Sequence, residues 1–486
     1  LNKDSVAAQP TFEDLIIDDN LSELDRVVRY VRSSIGLQRL VHVKMIAGVA
    51  GSFSFEQIAE GLIPLFSTIA GDIEPSIRRV FAAQLPLVAK RCISVGEEKG
   101  YRVVVDKILP IVSTLLEDDK AEIRQTASAA LVDISAMITT EDLGIYVLTI
   151  ILSLAHDDAN EEMRMTASVL FNLLADTLGE DLCKQFVIPE VVSLAEDPVF
   201  RVRKSTALNF QHICKIGGEY ELFERLMPAF VRLSKDEMYR VRRACADSLA
   251  SISEFVSDDI RVGVLVEIFL RLAQDPSKLV KQSIMQQSGM FIASLPGRVI
   301  TSNILDLYCS LARSPLGDQQ ADEDLKKYCA YSFPGVLQAI GSERWSEIRQ
   351  VYHSLVQSQI PAVMHTLGLS LHVVARLLGE RIVEEELVPV FEEMIQDSDE
   401  VRLGIIKYLA DFLVLLSVPC RVSYLPLLND LLQSANPLNW RLRQSLASQL
   451  SRLMDLLPAQ NLFGTLFPLT MALLQDPVFQ VRRASY

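Results

Sequence analysis

Apolar and polar positions along the chain fall into a two-run unit that is clearest around residue 200. Phe186-Val187-Ile188 through Ala195 carries apolar residues at helical spacing, and Glu196-Asp197-Pro198 then breaks the run. Val202-Arg203 opens a second amphipathic run that ends at Gly217-Gly218. Proline fits just inside a helix start and glycine just past a helix end, so the unit reads as two helices joined by a short turn.

The unit recurs. Asp197-Pro198-Val199-Phe200-Arg201-Val202-Arg203 returns as Asp476-Pro477-Val478-Phe479-Gln480-Val481-Arg482. Equivalent apolar–basic steps stand at Ile77-Arg78, Ile123-Arg124, Met163-Arg164, Val202-Arg203, Val241-Arg242, Val280-Lys281, Leu325-Lys326, Val401-Arg402, Leu442-Arg443 and Val481-Arg482. Intervals between the basic members are 46, 40, 39, 39, 39, 45, 76, 41 and 39 residues. The 76 is twice 38, which places a degenerate copy at Val363-Met364; a weaker first copy falls at Gln38-Arg39. An Asp lies six residues before the basic position at Asp72, Asp118, Asp158, Asp197, Asp236, Asp275 and Asp476. A Pro lies fourteen before it at Pro64, Pro110, Pro189, Pro228 and Pro468, inside the first helix, where a missing N–H donor should kink or jog the helix.

A period near 39 with two helices, an interior Pro and an Asp…Val-Arg turn is the HEAT pattern. The predicted fold is all-α: an α-solenoid of about twelve HEAT repeats, two antiparallel helices each, forming one curved superhelix over residues 1–486. Three segments depart from the period. Val95–Tyr101 carries about seven extra residues and reads as a solvated loop. Ser314–Asp324 is polar and acidic, an inter-helix insertion. Ser434–Trp440 lengthens a turn.

Composition narrows the picture. Hydrophobic residues make up 49% and aromatic residues only 7%, which favours helix-on-helix packing over an aromatic-rich sheet. The net charge of −15 argues against a broad phosphate-backbone contact, so no nucleic-acid partner is expected. There is no uninterrupted 18-residue apolar span, and the richest run, Tyr408 to Val418, is bounded by Lys407 and Pro419; no membrane partner is expected. The seven cysteines are scattered without a Cys-x-x-Cys pair, and Cys245 and Cys329 sit in apolar helical runs as reduced, core-filling thiols. This points to a reducing compartment, cytoplasmic and/or nuclear. The chain starts without Met and stops just after a Val-Arg step, so it reads as a fragment of a longer protein.

Candidate chemistry is sparse. His365 and His372 share a helical face but lack a third ligand nearby in sequence, and they read as a packed or surface pair. Acid pairs such as Asp118-Asp119 and Asp157-Asp158 stand at helix-terminal turns, where capping suits them better than acid–base catalysis. No glycine-rich phosphate loop, Gly-x-Ser-x-Gly elbow or His-Glu-x-x-His motif is present. The expectation is a non-enzyme with no catalytic, cofactor or metal site.

The Asp and Arg columns read as a ladder in which the Asp of one turn accepts hydrogen bonds from the Arg of the adjacent repeat. The positions three and two before the basic column differ. They read Phe200-Arg201, Tyr239-Arg240, Lys278-Leu279, Trp440-Arg441 and Phe479-Gln480, and helix stacking does not demand large aromatics beside arginines at a turn tip. Two readings stand: a partner-binding ridge of Phe200, Arg201, Tyr239, Arg240, Trp440, Arg441 and Phe479, or rings packed locally onto the next turn.

The run Phe186–Leu295 resembles the regulatory-subunit-1 family of protein phosphatase 4. The resemblance lies in Val202-Arg203-Lys204, Asn209-Phe210, Ile213-Cys214, Val241-Arg242-Arg243-Ala244-Cys245-Ala246 and Asp275-Pro276-Ser277-Lys278-Leu279-Val280-Lys281-Gln282. Leu325–Ala330 fits the same helix pattern. The scaffold subunit of protein phosphatase 2A is a second relative, from whose regularity the insertions here depart. The resemblance implies a non-catalytic regulatory or scaffold subunit. It would bind a serine/threonine phosphatase catalytic subunit, with further regulatory subunits or substrates as additional partners, and direct substrate choice; any catalytic metal would belong to that partner. The rival readings are a HEAT-repeat nuclear-transport receptor, offering acidic inner helices to basic cargo, and the protein phosphatase 2A scaffold itself.

Overall fold

The computed structural model describes residues 17–18, 20–313, 317–434, 439–458, 464 and 466–485. The chain divides into two compact units, Leu1–Ser248 and Leu249–Tyr486, where the sequence predicted one array. Both are built from helix pairs, and the described residues contain no strand.

In the first unit the second helices are Gly36–Ser52, Pro75–Val103, Ala121–Ser135, Glu161–Leu182, Phe200–Leu208 with Gln211–Ile216, and Tyr239 onward. Each begins two or three residues before the Val-Arg step, so the apolar member of that step lands on the buried face: Ile77, Ile123, Met163, Val202 and Val241 are all at most 2% exposed. First helices supply the other wall, within a repeat where Phe66 meets Phe81 at 5.0 Å between ring centroids, and from the next repeat where Phe230 meets Phe210 at 5.4 Å. No helix could bury its apolar stripe alone, so stability comes from stacking neighbours. Cys92, Cys183 and Cys214 lie in this core without disulfides. Burial pushes the Cys92 and Cys183 thiols up to about 11 and about 12, which keeps them protonated and inert.

The interior Pro acts through a π-turn. Ile58–Leu62, Val104–Ile108, Cys183–Val187 and Leu222–Leu226 are π-helical, and each ends two residues before the Pro column at Pro64, Pro110, Pro189 and Pro228. The last helical N–H before each Pro reaches five residues back: Ile63 to Ile58, Leu109 to Val104, Ile188 to Cys183 and Met227 to Leu222. Widening the turn moves backbone carbonyls out of the way of the ring. Leu143–Leu148 is π-helical with no Pro following, so the widened turn belongs to the repeat and Pro merely suits it.

The second unit repeats the plan with pairs including 258–273 with Lys278–Ala293, Trp345–Val356 with Pro361–Leu378, and 380–394 with Asp399–Ile406. Phe269 stacks on Phe291 at 5.0 Å and Phe391 on Phe412 at 4.9 Å. Pro361–Leu378 is long and apolar enough to cross a membrane by length and composition, although His365, His372 and Arg376 interrupt its apolar run. Val363, Leu367, Leu371 and Val374 on it are at most 2% exposed, as a packed core helix requires. It is also the degenerate copy: Met364 stands at the basic position and is buried. His372, on the same helix as His365, stacks on Tyr408 at 4.2 Å.

Reversals between repeats use glycine where the backbone demands it. Gly179 (φ 82°, ψ 171°) and Gly379 (φ 81°, ψ 162°) sit between a second helix and the next first helix, in a region open essentially to glycine alone. The expected loop at Val95–Tyr101 is instead helical on both sides of Glu97, which takes φ 45° and ψ −124°. In the acidic stretch Ser314–Asp324, Gln319–Asp324 are the opening turns of the helix Gln319–Ile340, capped by the Asp318 carboxylate on the Ala321 N–H. Residues 314–316 of that stretch, residues 435–438 of the lengthened turn and residues 1–16 lie outside the described residues.

Candidate functional site

The turn between the two helices of each repeat is held by a repeated pattern of hydrogen bonds. The turn Asp accepts the N–H two residues on through one carboxylate oxygen, as Asp72 does from Glu74 at 2.9 Å and Asp236 from Met238 at 2.8 Å. The Arg six residues later donates back to the Asp carbonyl, as Arg78 does to Asp72 at 2.7 Å and Arg203 to Asp197 at 2.8 Å. The same guanidinium then grips the next repeat's Asp with two nitrogens. In the first unit these rungs are Arg39–Asp72 (2.6 and 3.0 Å), Arg78–Asp118 (2.6 and 3.0 Å), Arg164–Asp197 (2.7 and 3.2 Å) and Arg203–Asp236 (2.6 and 3.1 Å). In the second unit Arg443 holds Asp476 at 2.5 and 3.3 Å. The ladder read from the sequence is therefore present and bidentate, a geometry that fixes one turn against the next.

One rung departs from the expected column. Arg124 bonds the Glu162 carboxylate at 2.6 Å in place of Asp158. The turn there is drawn around Asp157, which accepts the N–H groups of Ala159 and Asn160, while the Asn160 side chain caps the following helix. That puts Glu162, on the helix's first turn, within reach of Arg124.

Electrostatics follow the geometry. The Asp197 and Asp72 hydrogen bonds hold the Arg164 and Arg39 guanidiniums above their ordinary value. Burial acts to raise the Asp118 and Asp476 carboxyls, but the hydrogen bonds from Arg78 and Arg443 and from the turn N–H groups outweigh it and leave both below the usual carboxylate range. These carboxylates are committed to structure.

The aromatic–arginine column occupies the first residues of the second helices rather than a turn tip: Phe200 begins Phe200–Leu208, Tyr239 begins Tyr239–Ser253, Trp440 begins Trp440–Leu456 and Phe479 begins Phe479–Ala484. Phe479 is 61% exposed, Phe200, Tyr239 and Trp440 are half-buried, and Arg201, Arg240 and Arg441 are exposed. The guanidiniums are used differently. Arg441 lies over its own neighbour Trp440 at 4.9 Å from the ring centroid, and Arg482 over Phe479 at 5.9 Å. Arg201 is paired with Glu161 and Glu162, the latter at 2.6 Å. Arg240 lies over both the Tyr239 and Phe200 rings at 5.9 Å. Phe200, Arg201, Tyr239 and Arg240 thus come together on one edge of the first unit, and Trp440, Arg441 and Phe479 lie in the second. Lys204 and Arg243, which the sequence offered as motif residues and not as contacts, share a groove with Tyr239 and Arg240. A repeat-by-repeat comparison of charge would have found them. Among the described residues no group of His, Cys, Asp and Glu side chains is placed to hold a metal ion.

Comparison with known proteins bears on both fold and family. Residues 329–431 match the family model of the protein phosphatase 4 regulatory subunit 1 middle domain, and residues 226–256 match the HEAT repeat. The first match lies C-terminal to the run Phe186–Leu295 that carried most of the resemblance. The serine/threonine-protein phosphatase 4 regulatory subunit 1 of Homo sapiens and that of Mus musculus are each 38% identical over 188 residues, covering 39% of this chain and 20% of theirs. The chain thus spans about a fifth of the length of these curated relatives. Among solved structures, Kap95p described with RanGDP aligns with a TM-score of 0.68 at 14% identity, over 95% of this chain and 62% of that one. Importin beta in an ammonium sulfate condition aligns at 0.63 and 13%, over 95% and 68%. At such identity the likeness is one of fold. The chain is an α-solenoid of HEAT repeats, similar over its matched segments to regulatory subunit 1 of protein phosphatase 4.

Proposed function

We propose that the chain is a non-catalytic regulatory or scaffold subunit that binds a serine/threonine phosphatase catalytic subunit of the protein phosphatase 4 type and directs its choice of substrate. The observation that carries this reading is the match of residues 329–431 to the middle domain of that regulatory subunit, together with 38% identity to its curated relatives. The aromatic–arginine edge supplies the contact surface: large rings and guanidiniums held at helix starts by a rigid ladder are the side chains that anchor protein interfaces. Binding here needs no metal or cofactor on this chain. The compartment is the cytoplasm, the nucleus or both, a reading that rests on seven scattered cysteines without a Cys-x-x-Cys pair. The nuclear-transport reading rests on fold likeness alone and is not favoured.

The test is capture of endogenous phosphatase catalytic subunits on the immobilised chain, with protein phosphatase 4 and protein phosphatase 2A identified separately. Recovery of the first supports the proposal, and recovery of neither overturns it. Trp440→Ala and Phe200→Ala, checked for unchanged helical content and melting, locate the contact; if binding survives both, the column is structural.

A further inference from the structure

We infer that the groove between the second helices Phe200–Leu208 and Tyr239–Ser253 is a docking site for an acidic peptide segment of a partner protein, one that presents Glu or Asp side chains beside an apolar residue. This rests on the aromatic–arginine edge being a partner-binding surface, but not on the partner being a phosphatase. The groove encloses about 450 Å³ and is lined by Lys204, Leu208, Tyr239, Arg240, Arg243 and Asp247. Three cations meet one carboxylate there, in a chain whose net charge is −15. Asp247 stands 3.8 Å from Arg243. Lys204 and Arg240 have no carboxylate partner among the described residues.

The excess of charge has a local cause that the repeat makes visible. One repeat earlier, Arg201 occupies the place of Arg240 and is held by Glu161 and Glu162. Moving 39 residues along the chain turns Glu161 into Phe200 and Glu162 into Arg201. Arg240 therefore meets a ring, at 5.9 Å from its centroid, where its counterpart meets carboxylates. A ring face orients a guanidinium but does not neutralise it. The opening turns of Phe200–Leu208 and Tyr239–Ser253 contain no acid, and the turn carboxylates just before them, Asp197 and Asp236, are already gripped by Arg164 and Arg203. Leu208, 42% exposed, and half-buried Tyr239 give the groove apolar walls for a ligand side chain. A carboxylate-bearing peptide matches this short site better than a nucleic acid, because a chain of net charge −15 repels an extended polyphosphate.

The experiment is fluorescence anisotropy on the whole chain with a labelled peptide of repeating Glu-Glu-Leu triplets and the same peptide with Gln for Glu. The Glu peptide should bind about tenfold more tightly than the Gln peptide, an advantage that shrinks as salt rises. Arg240→Glu and Phe200→Glu should each weaken it about tenfold, the second by restoring the carboxylate that captures this guanidinium in the preceding repeat. Phe200→Gln, which removes the ring without adding charge, should cost less than Phe200→Glu. Equal binding of the two peptides overturns the inference, as does wild-type affinity in both charge variants at unchanged melting, or tighter binding of a single-stranded oligonucleotide. Should Arg240→Glu fail to fold, the peptide pair on the unaltered chain and Phe200→Glu still decide. Phosphatase capture without peptide binding sinks this inference alone; peptide binding without phosphatase capture sinks only the choice of partner.

Discussion

Arg164 and Asp197 make the most informative rung to break. Their side chains are 9% and 6% exposed, and the guanidinium spans four acceptors: both Asp197 carboxylate oxygens and the carbonyls of Asp157 and Asp158, at 2.8 and 3.2 Å for the last two. Arg164→Met keeps most of the aliphatic stem, so the loss is chiefly polar. It leaves the Asp197 carboxylate buried with only the Val199 N–H, at 2.8 Å, as donor. Removing one partner of a buried ion pair costs about 3–5 kcal/mol, most of it from the charge left behind. Asp197→Asn retains an oxygen for Val199 and should cost less, roughly 1–3 kcal/mol for weakened charge-assisted bonds. A double-mutant cycle by urea unfolding, followed by amide exchange in 161–208, isolates the pair, and its coupling should be about 2 kcal/mol. The exposed pair Lys215–Asp176, at 2.9 Å with side chains 47% and 49% accessible, is the control and should couple by less than about 1 kcal/mol. Equal coupling for the two pairs would refute the claim that burial makes the ladder a structural spine.

Gly179→Ala should destabilise the first unit by about 1–3 kcal/mol although no atom lies within 4 Å of the added methyl, because the cost is in the backbone; thermal melting measures it. The ladder also sets an acid limit. Asp118 has a carboxyl held below its unfolded value, so its contribution is complete above about pH 4–5 and disappears as pH falls through the lower folded value, while Arg78 stays charged throughout. The stability gap between the chain and Asp118→Asn, read from urea midpoints, should therefore be constant near neutrality and close below about pH 4. A gap that widened on acidification would contradict the assigned pairing.

The repeat was legible because its chemistry recurs at one spacing. Asp197, Val202 and Arg203 report the turn, the buried face and the rung, and each does in the fold what its column suggested. What escaped depended on three-dimensional substitution. Glu162 replaces Asp158 because a turn reshapes around Asp157, which a fixed column offset does not register. The widened turns carry no residue signature of their own, as Leu143–Leu148 without a proline demonstrates. Within the acidic stretch Ser314–Asp324 the helix start at Gln319 went unread because the segment is polar; Asp318 was its capping signal. At the candidate edge, the sequence singled out the rings and arginines but not their pairings. That Arg201 is neutralised and Arg240 is not depends on which residue the preceding repeat presents 39 or 40 positions away.

The central claim is that this chain acts by binding a phosphatase catalytic subunit through the edge of its repeats. Its most direct test is to titrate purified protein phosphatase 4 catalytic subunit against the immobilised chain and against the Phe200→Ala, Trp440→Ala double variant. Saturable binding by the unaltered chain that the double variant loses, with helical content preserved in both, is the predicted result. The absence of any saturable binding to the folded chain would contradict the account.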